Sequence, residues 1–232
     1  MDGRRLILEL VRKWNWLGYC LCANANMHGE ADTLFFAHHP NNDSGDVQSS
    51  SEWCMISLHL FDRLRLISCP TEFNTIIRNC FYQYRGQSSI QKESEMLGSY
   101  EFKLKGTPWL STGADGISMR LLITKLFEAL HRTGWKVHAS LDVSAMGVSD
   151  KATLLLRSMP PAPMVTYCCL APAYMSCLFV IGEQRDKQAV VDIVRTLLSQ
   201  YWTFGIEKDQ ADYQGAHLFQ LKGLPWYETV KR

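Results

Sequence analysis

FKLKGTPW at 102–109 returns as FQLKGLPW at 219–226, and this pair of stretches decides the fold. An offset of 117 residues lays Phe102 on Phe219, Lys105 on Lys222, Pro108 on Pro225 and Trp109 on Trp226. Followed backwards, the same offset pairs Arg78 with Arg195, Gln83 with Gln200 and Tyr84 with Tyr201. An offset of 116 pairs Arg4, Leu6, Ile7, Leu10 and Gly18 with Arg120, Leu122, Ile123, Leu126 and Gly134. The chain is therefore a duplication, with loops of unequal length absorbing the changes of offset. Its period is that of a small domain and not of a solenoid. Two fused units are expected, 1–110 and 111–232, packed as one pseudo-symmetric domain.

Outward from the motif, Leu6, Ile7, Leu10, Val11, Trp14 and Leu17 recur at helical spacing and predict a helix over 4–17 with that face buried, stopped by Gly18. Alternation predicts strands at 19–25, 33–37, 54–60 and 63–68, then a helix over 70–84 opening at Pro70 and Glu72, then a strand at 100–105. The second unit repeats the plan. Asp115 is expected to cap a helix over 116–133, followed by strands at 135–143, 153–157, 165–170 and 176–181, a helix over 186–202 and a strand at 216–221. Each unit thus reads helix, four strands, helix, strand. Short connections imply antiparallel pairing, and alternation implies helices on one sheet face with the other face left to water. The fold class is α+β. Begun at its last strand, the unit resembles the half-repeat of the TATA-binding saddle, an analogy of fold that carries no function.

The chain has 232 residues, 47% of them hydrophobic, and a formal charge of +1. That composition supports a folded core and gives no clustered basic surplus for nucleic acid or an anionic membrane. No run of apolar residues is long enough to span a bilayer or form a signal peptide. Eight cysteines lie mostly inside apolar strand-like runs, so free buried thiols in a reducing cytoplasm or nucleus are expected. The stretch 41–52, NNDSGDVQSSSE, reads as a surface loop.

The repeated LKG-x-PW reads first as a turn and core closure, since two copies of a fold need the same turn twice. Its functional reading makes Lys105 and Lys222 binders of an anion or acidic partner. The expected open sheet face carries Lys136, His138, Ser140, Asp142 and Lys222 in the second unit. In the first it carries Cys20, Cys22, Asn24, Asn26, Arg63, Arg65 and Lys103. Catalytic readings are weak. His138 and Asp142 on one strand stand about 13 Å apart, too far for a triad through Ser140. His38, His39 and His59 match no zinc spacing, and Cys69 before Pro70 reads as a capping position and not as a reactive thiol. No metal, cofactor or catalytic residue is assigned.

DTLFF at 32–36, DRLRLI at 62–67 and YEFKLKGTPW at 100–109 together resemble an uncharacterised family of eukaryotic proteins with a duplicated LKG-x-PW unit. The resemblance spans most of the chain and implies a shared duplicated fold, with no chemistry attached. The second unit departs from the pattern, with Leu154, Leu155 and Leu156 for the LFF run and SCLFVI for DRLRLI. Any role of Asp62, Arg63 or Arg65 is thereby confined to the first unit.

Two functions follow. The first is a non-enzymatic module that engages another protein through the sheet face or the 41–52 loop. The second is a small-molecule or anion binder, possible as an enzyme, with Arg78, Lys105, Arg195 and Lys222 as charge partners in a cleft between the units. Single-stranded nucleic acid on the sheet is disfavoured by the scarcity of outward aromatics. The first unit starts at its helix, without the strand and PW exit that precede the second, which leaves open an array of more than two units.

Overall fold

A computed structural model describes residues 3–27, 31–38, 51–96, 98–143 and 150–227. The first repeat runs α1 (Gly3–Trp16), β1 (Tyr19–Ala25), β2 (Thr33–His38), β3 (Trp53–His59), β4 (Arg63–Ile67), α2 (Glu72–Arg85), β5 (Ile90–Met96) and β6 (Ser99–Leu104). The second runs α3 (Gly113–Arg132), β7 (Trp135–Leu141), β8 (Asp150–Ser158), β9 (Cys169–Ala173), β10 (Cys177–Ile181), α4 (Gln184–Tyr201), β11 (Ile206–Tyr213) and β12 (Ala216–Leu221). The class is α+β, and the order within the repeat is the same twice.

Each repeat has one strand more than alternation revealed. β5 and β11, IQKESEM and IEKDQADY, are charged strands at sheet edges, paired on one side only. Charge along an edge strand keeps it from pairing with another molecule, and the same charge hides it from a search for apolar alternation. Some boundaries move as well. Pro70 precedes α2, Asp115 and Asp186 lie within the first turns of α3 and α4, and β9 starts later than expected.

By contact the chain divides into two compact units, Met1–Leu110 with Ala129–Met164, and Ser111–Glu128 with Val165–Arg232. These divisions fall at different residues from the repeat boundary. In the first unit β8 pairs antiparallel with β3, so the second repeat's β7–β8 hairpin completes a six-stranded sheet of order β5-β6-β4-β3-β8-β7. Directly paired residues project to the same face. Met55, Ile67 and Leu155 therefore share one face, and Ile56, Leu66 and Leu154 the other. Leu8 and Val11 of α1 and Leu21 of β1 pack on the first face, which corrects the expectation of a face left to water there. On the other side Phe73 of α2 meets Trp135 edge to face, ring centres 5.4 Å apart.

In the second unit the order is β11-β12-β10-β9. Ile117 and Leu121 of α3 pack on Ala171, Phe179 and Leu218, while Val191, Val194 and Leu198 of α4 pack on Leu178, Val180 and Phe219.

The bulges are duplicated too. β1 shifts register between Leu21 and Ala23 and β7 between Val137 and Ala139, while β5 shifts between Ile90 and Lys92 and β11 between Ile206 and Lys208. A bulge exchanges the faces of every residue beyond it.

Candidate functional site

The LKG-x-PW motif is a structural closure, made in the same way twice. Gly106 and Gly223 have φ of 74° and 81°, a region that favours glycine. The N–H groups of Lys105 and Lys222 donate to Ser89 and Gly205 carbonyls at 2.8 and 3.0 Å. The indole N–H groups of Trp109 and Trp226 each donate at 2.9 Å to a carbonyl at the start of the central strand, Arg63 in one copy and Cys177 in the other. Both lysine side chains are exposed.

Most of the other candidate charges are already matched. Glu101, on β6, is only 2% exposed and accepts from Arg63 and from Arg65 at 2.8 and 3.1 Å. Burial pushes its carboxyl up, but the two guanidinium groups outweigh this and hold it below the usual carboxylate range. Arg78 donates to Glu93 at 2.6 and 3.0 Å, and Tyr100 adds a 2.6 Å bond to the same carboxylate. Its repeat counterpart Arg195 donates to Asp209 at 2.6 and 3.3 Å, with His217 2.6 Å from that carboxylate. Each arginine thus ties a helix to its edge strand. Hydrogen bonding by Arg78 lowers the Glu93 pKa and that by Arg195 lowers the Asp209 pKa, against the opposing effect of burial.

The expected row on β7 is broken by its bulge. Lys136 pairs with Arg157 and Ser140 with Leu154, which project to opposite faces, and His138 is the extra residue between them. The His138 ring meets Trp53 edge on at 5.1 Å, with Nε2 3.0 Å from the Leu21 carbonyl. Asp142 engages through its backbone, its N–H donating to the Asp32 carboxylate and its carbonyl accepting from the Asp32 N–H. Lys136, His138 and Asp142 therefore do not form one binding row.

The thiol readings also resolve. Cys69 donates to the Met55 carbonyl at 3.2 Å and lies ahead of the helix cap, Thr71. A hydrogen bond with Cys69 and burial both push the Cys54 thiol pKa up. None of the eight cysteines is disulfide-bonded. No cluster of metal-ligating residues is present among the described residues, and no described helix is long and apolar enough to cross a membrane. Residues 41–50 of the expected loop lie outside the described residues. One ion cluster escaped the sequence reading. Lys125, buried in the second unit, is bonded to Glu128 at 2.9 Å and to Glu183, and Glu128 also accepts from the Tyr167 N–H.

Lys105 and Lys222 stay exposed; the other exposed feature is apolar. The face α1 buries is Arg4, Leu8, Val11 and Asn15; of the apolar stripe that the spacing predicted, Val11 is buried and Ile7 partly so, while Leu6, Leu10, Trp14 and Leu17 are exposed. Arg4 is held by Thr153 Oγ1 at 3.2 Å, and Asn15 accepts from the Trp53 indole at 3.4 Å. Leu6, Leu10 and Trp14 are 55%, 44% and 42% exposed, whereas their repeat counterparts Leu122, Leu126 and Leu130 on α3 are 0% exposed. Laying one repeat's burial over the other is the signal that finds this stripe.

Fold and surface together define a duplicated α+β protein with its four candidate arginines paired internally and an apolar helix face turned outward. A family model for an uncharacterised domain matches residues 52–157 and 166–232, and the chain belongs to that family. No curated protein and no solved structure matches it.

Proposed function

We propose that the protein is a non-catalytic interaction module that docks another protein chain on the outward face of α1. The observation that carries this reading is the exposed stripe Leu6, Leu10 and Trp14. Burying a large apolar side chain is worth about 1.5–3 kcal/mol, and an amphipathic helix is a standard ligand for an apolar groove. The anion-binding alternative is weakened, since Arg78 and Arg195 are neutralised by Glu93 and Asp209 and only Lys105 and Lys222 of its four charges stay available. Eight free thiols favour a reducing compartment, the cytosol or nucleus.

The test compares affinity capture by the wild type, Leu10→Asp and Lys136→Glu. A stoichiometric protein partner lost with Leu10→Asp and kept with Lys136→Glu is expected. Equal capture by all three chains removes α1 as the docking surface.

A further inference from the structure

We propose that the partner is a second copy of this chain, bound head to tail, with its α1–β1–β2 segment seated on the open edge of β9 and the outer face of α4. The proposal rests on the interaction-module reading and names its partner.

The two repeats, laid over one another, show what each bare surface is shaped to receive. β3 is paired on both sides, with β4 and β8, whereas among the described residues its counterpart β9 is paired with β10 alone. The turns after these strands fix the equivalence, because Leu60 and Tyr174 both have φ of 52°. Ile56 on β3 is fully buried, and the matching Leu170 on β9 is 52% exposed. On α4, Ile193, Leu197 and Tyr201 form an exposed stripe one turn apart. Leu197 is 47% exposed where Cys80, its counterpart on α2, is 8% exposed.

The strand seated against β3 is β8, and its counterpart is β2, with Leu34, Phe35 and Phe36 answering to Leu154, Leu155 and Leu156. Among the described residues β2 is paired with β1 alone. Phe35 is exposed where Leu155 is buried, as α1 exposes the stripe that α3 buries. Trp14 packs edge to face on Phe36 at 4.5 Å, so the apolar helix face and the apolar strand belong to one surface. The first unit therefore shows the strand pair joined, as β8 on β3, while the counterparts β2 and β9 have no such partner among the described residues.

Edge chemistry supports the same reading. β5 and β11, the edges that face water in both repeats, carry Lys92, Glu93 and Glu95, and Glu207, Lys208 and Asp209. β9 reads CLAPA and β2 reads TLFFAH, with no carboxylate, lysine or arginine in either. An uncharged edge is a template for another strand, and Pro172, which lacks an N–H, limits β9 to pairing through the residues before it, Cys169 to Ala171. A symmetric α1-to-α1 contact would leave the β9 edge unpaired; a head-to-tail contact covers both surfaces. Transposing the β3–β8 register sets Leu170 opposite Leu34 and Cys169 opposite Phe35.

The experiment is sedimentation of the full chain across the micromolar range, for the wild type, Leu10→Asp and Leu170→Asp, with circular dichroism to show that both variants are folded. The wild type is expected to associate with rising concentration, and each variant to bind itself about thirtyfold more weakly or worse, as for a charge placed in a hot spot. A mixture of the two variants is expected to form a two-chain species and nothing larger, since only one intact pair of surfaces exists between them. The proposal is overturned by a wild type that stays a single chain, by Leu170→Asp associating like the wild type, or by a mixture that stays as single chains. A monomeric wild type that still captures a different protein through α1 overturns this inference and leaves the interaction reading standing. Absence of both sinks the two together.

Discussion

Glu101 sits on β6 between Arg63 and Arg65 of β4, almost out of reach of water. Removing one member of a buried ion group costs about 3–5 kcal/mol. Because both arginines retain some contact with solvent, Glu101→Gln is expected to lose about 3 kcal/mol in urea unfolding. The pH dependence has a definite sign. The folded carboxyl titrates below its usual 4.5, so its contribution is complete above that value and is lost as pH falls through the lower folded pKa. The gap between wild type and Glu101→Gln should stay constant at neutral pH and close in acid; a gap that widens in acid contradicts the ion group. Backbone conformation sets the second expectation at this scale. A Cβ added to Gly106 meets nothing within 4 Å, so Gly106→Ala should cost only the left-handed backbone penalty, about 1–2 kcal/mol. A Cβ on Gly134, with φ of 91°, would lie 2.7 Å from the Met159 carbonyl, so Gly134→Ala should melt lower than Gly106→Ala.

Among the elements, β5 and β11 are each held from one side by a strand and from the other by an arginine. Arg78→Met should increase hydrogen exchange over Ile90–Met96 while leaving β3 unchanged, at a cost of about 1 kcal/mol. Arg195→Met should cost less, because Arg195 is more exposed and its pair is better screened. Uniform exchange along the first unit's sheet would contradict the tie. The same elements show where the sequence could be read and where it could not. The apolar alternation in YEFKL and the repeated turn placed β6, β12 and the Trp closures. β5 and β11 escaped because an edge strand carries charge in place of a buried face. On β7 the alternation of exposure was read correctly, with Lys136, His138 and Ser140 outward, but their placement on one common face was not, because a bulge leaves no mark on composition. In α1 the spacing gave the helix correctly, but the chain buries the side with Arg4 and Asn15, whose polar groups are bonded to Thr153 and Trp53.

At the scale of the whole molecule, cutting between the repeats severs β3 from β8. Residues 1–110 expressed alone should be poorly soluble and lack a cooperative melt, and co-expression with 111–232 should restore both; a cooperatively folded 1–110 would show that β8 is dispensable. Duplication was plain in the sequence, and so was the absence of a recognisable catalytic motif. The exposed apolar face of α1 was not, because the same spacing of leucines marks a buried face in α3 and a bare one in α1. The β3–β8 pairing also bears on descent. Bulges at matching places in both halves, one holding Cys22 and the other His138, date the fold to before the gene doubled. A single unit of this fold has a helix-and-hairpin head and a sheet with one uncovered edge, and the doubled chain joins one such head to one such edge inside a single polypeptide, as β8 on β3.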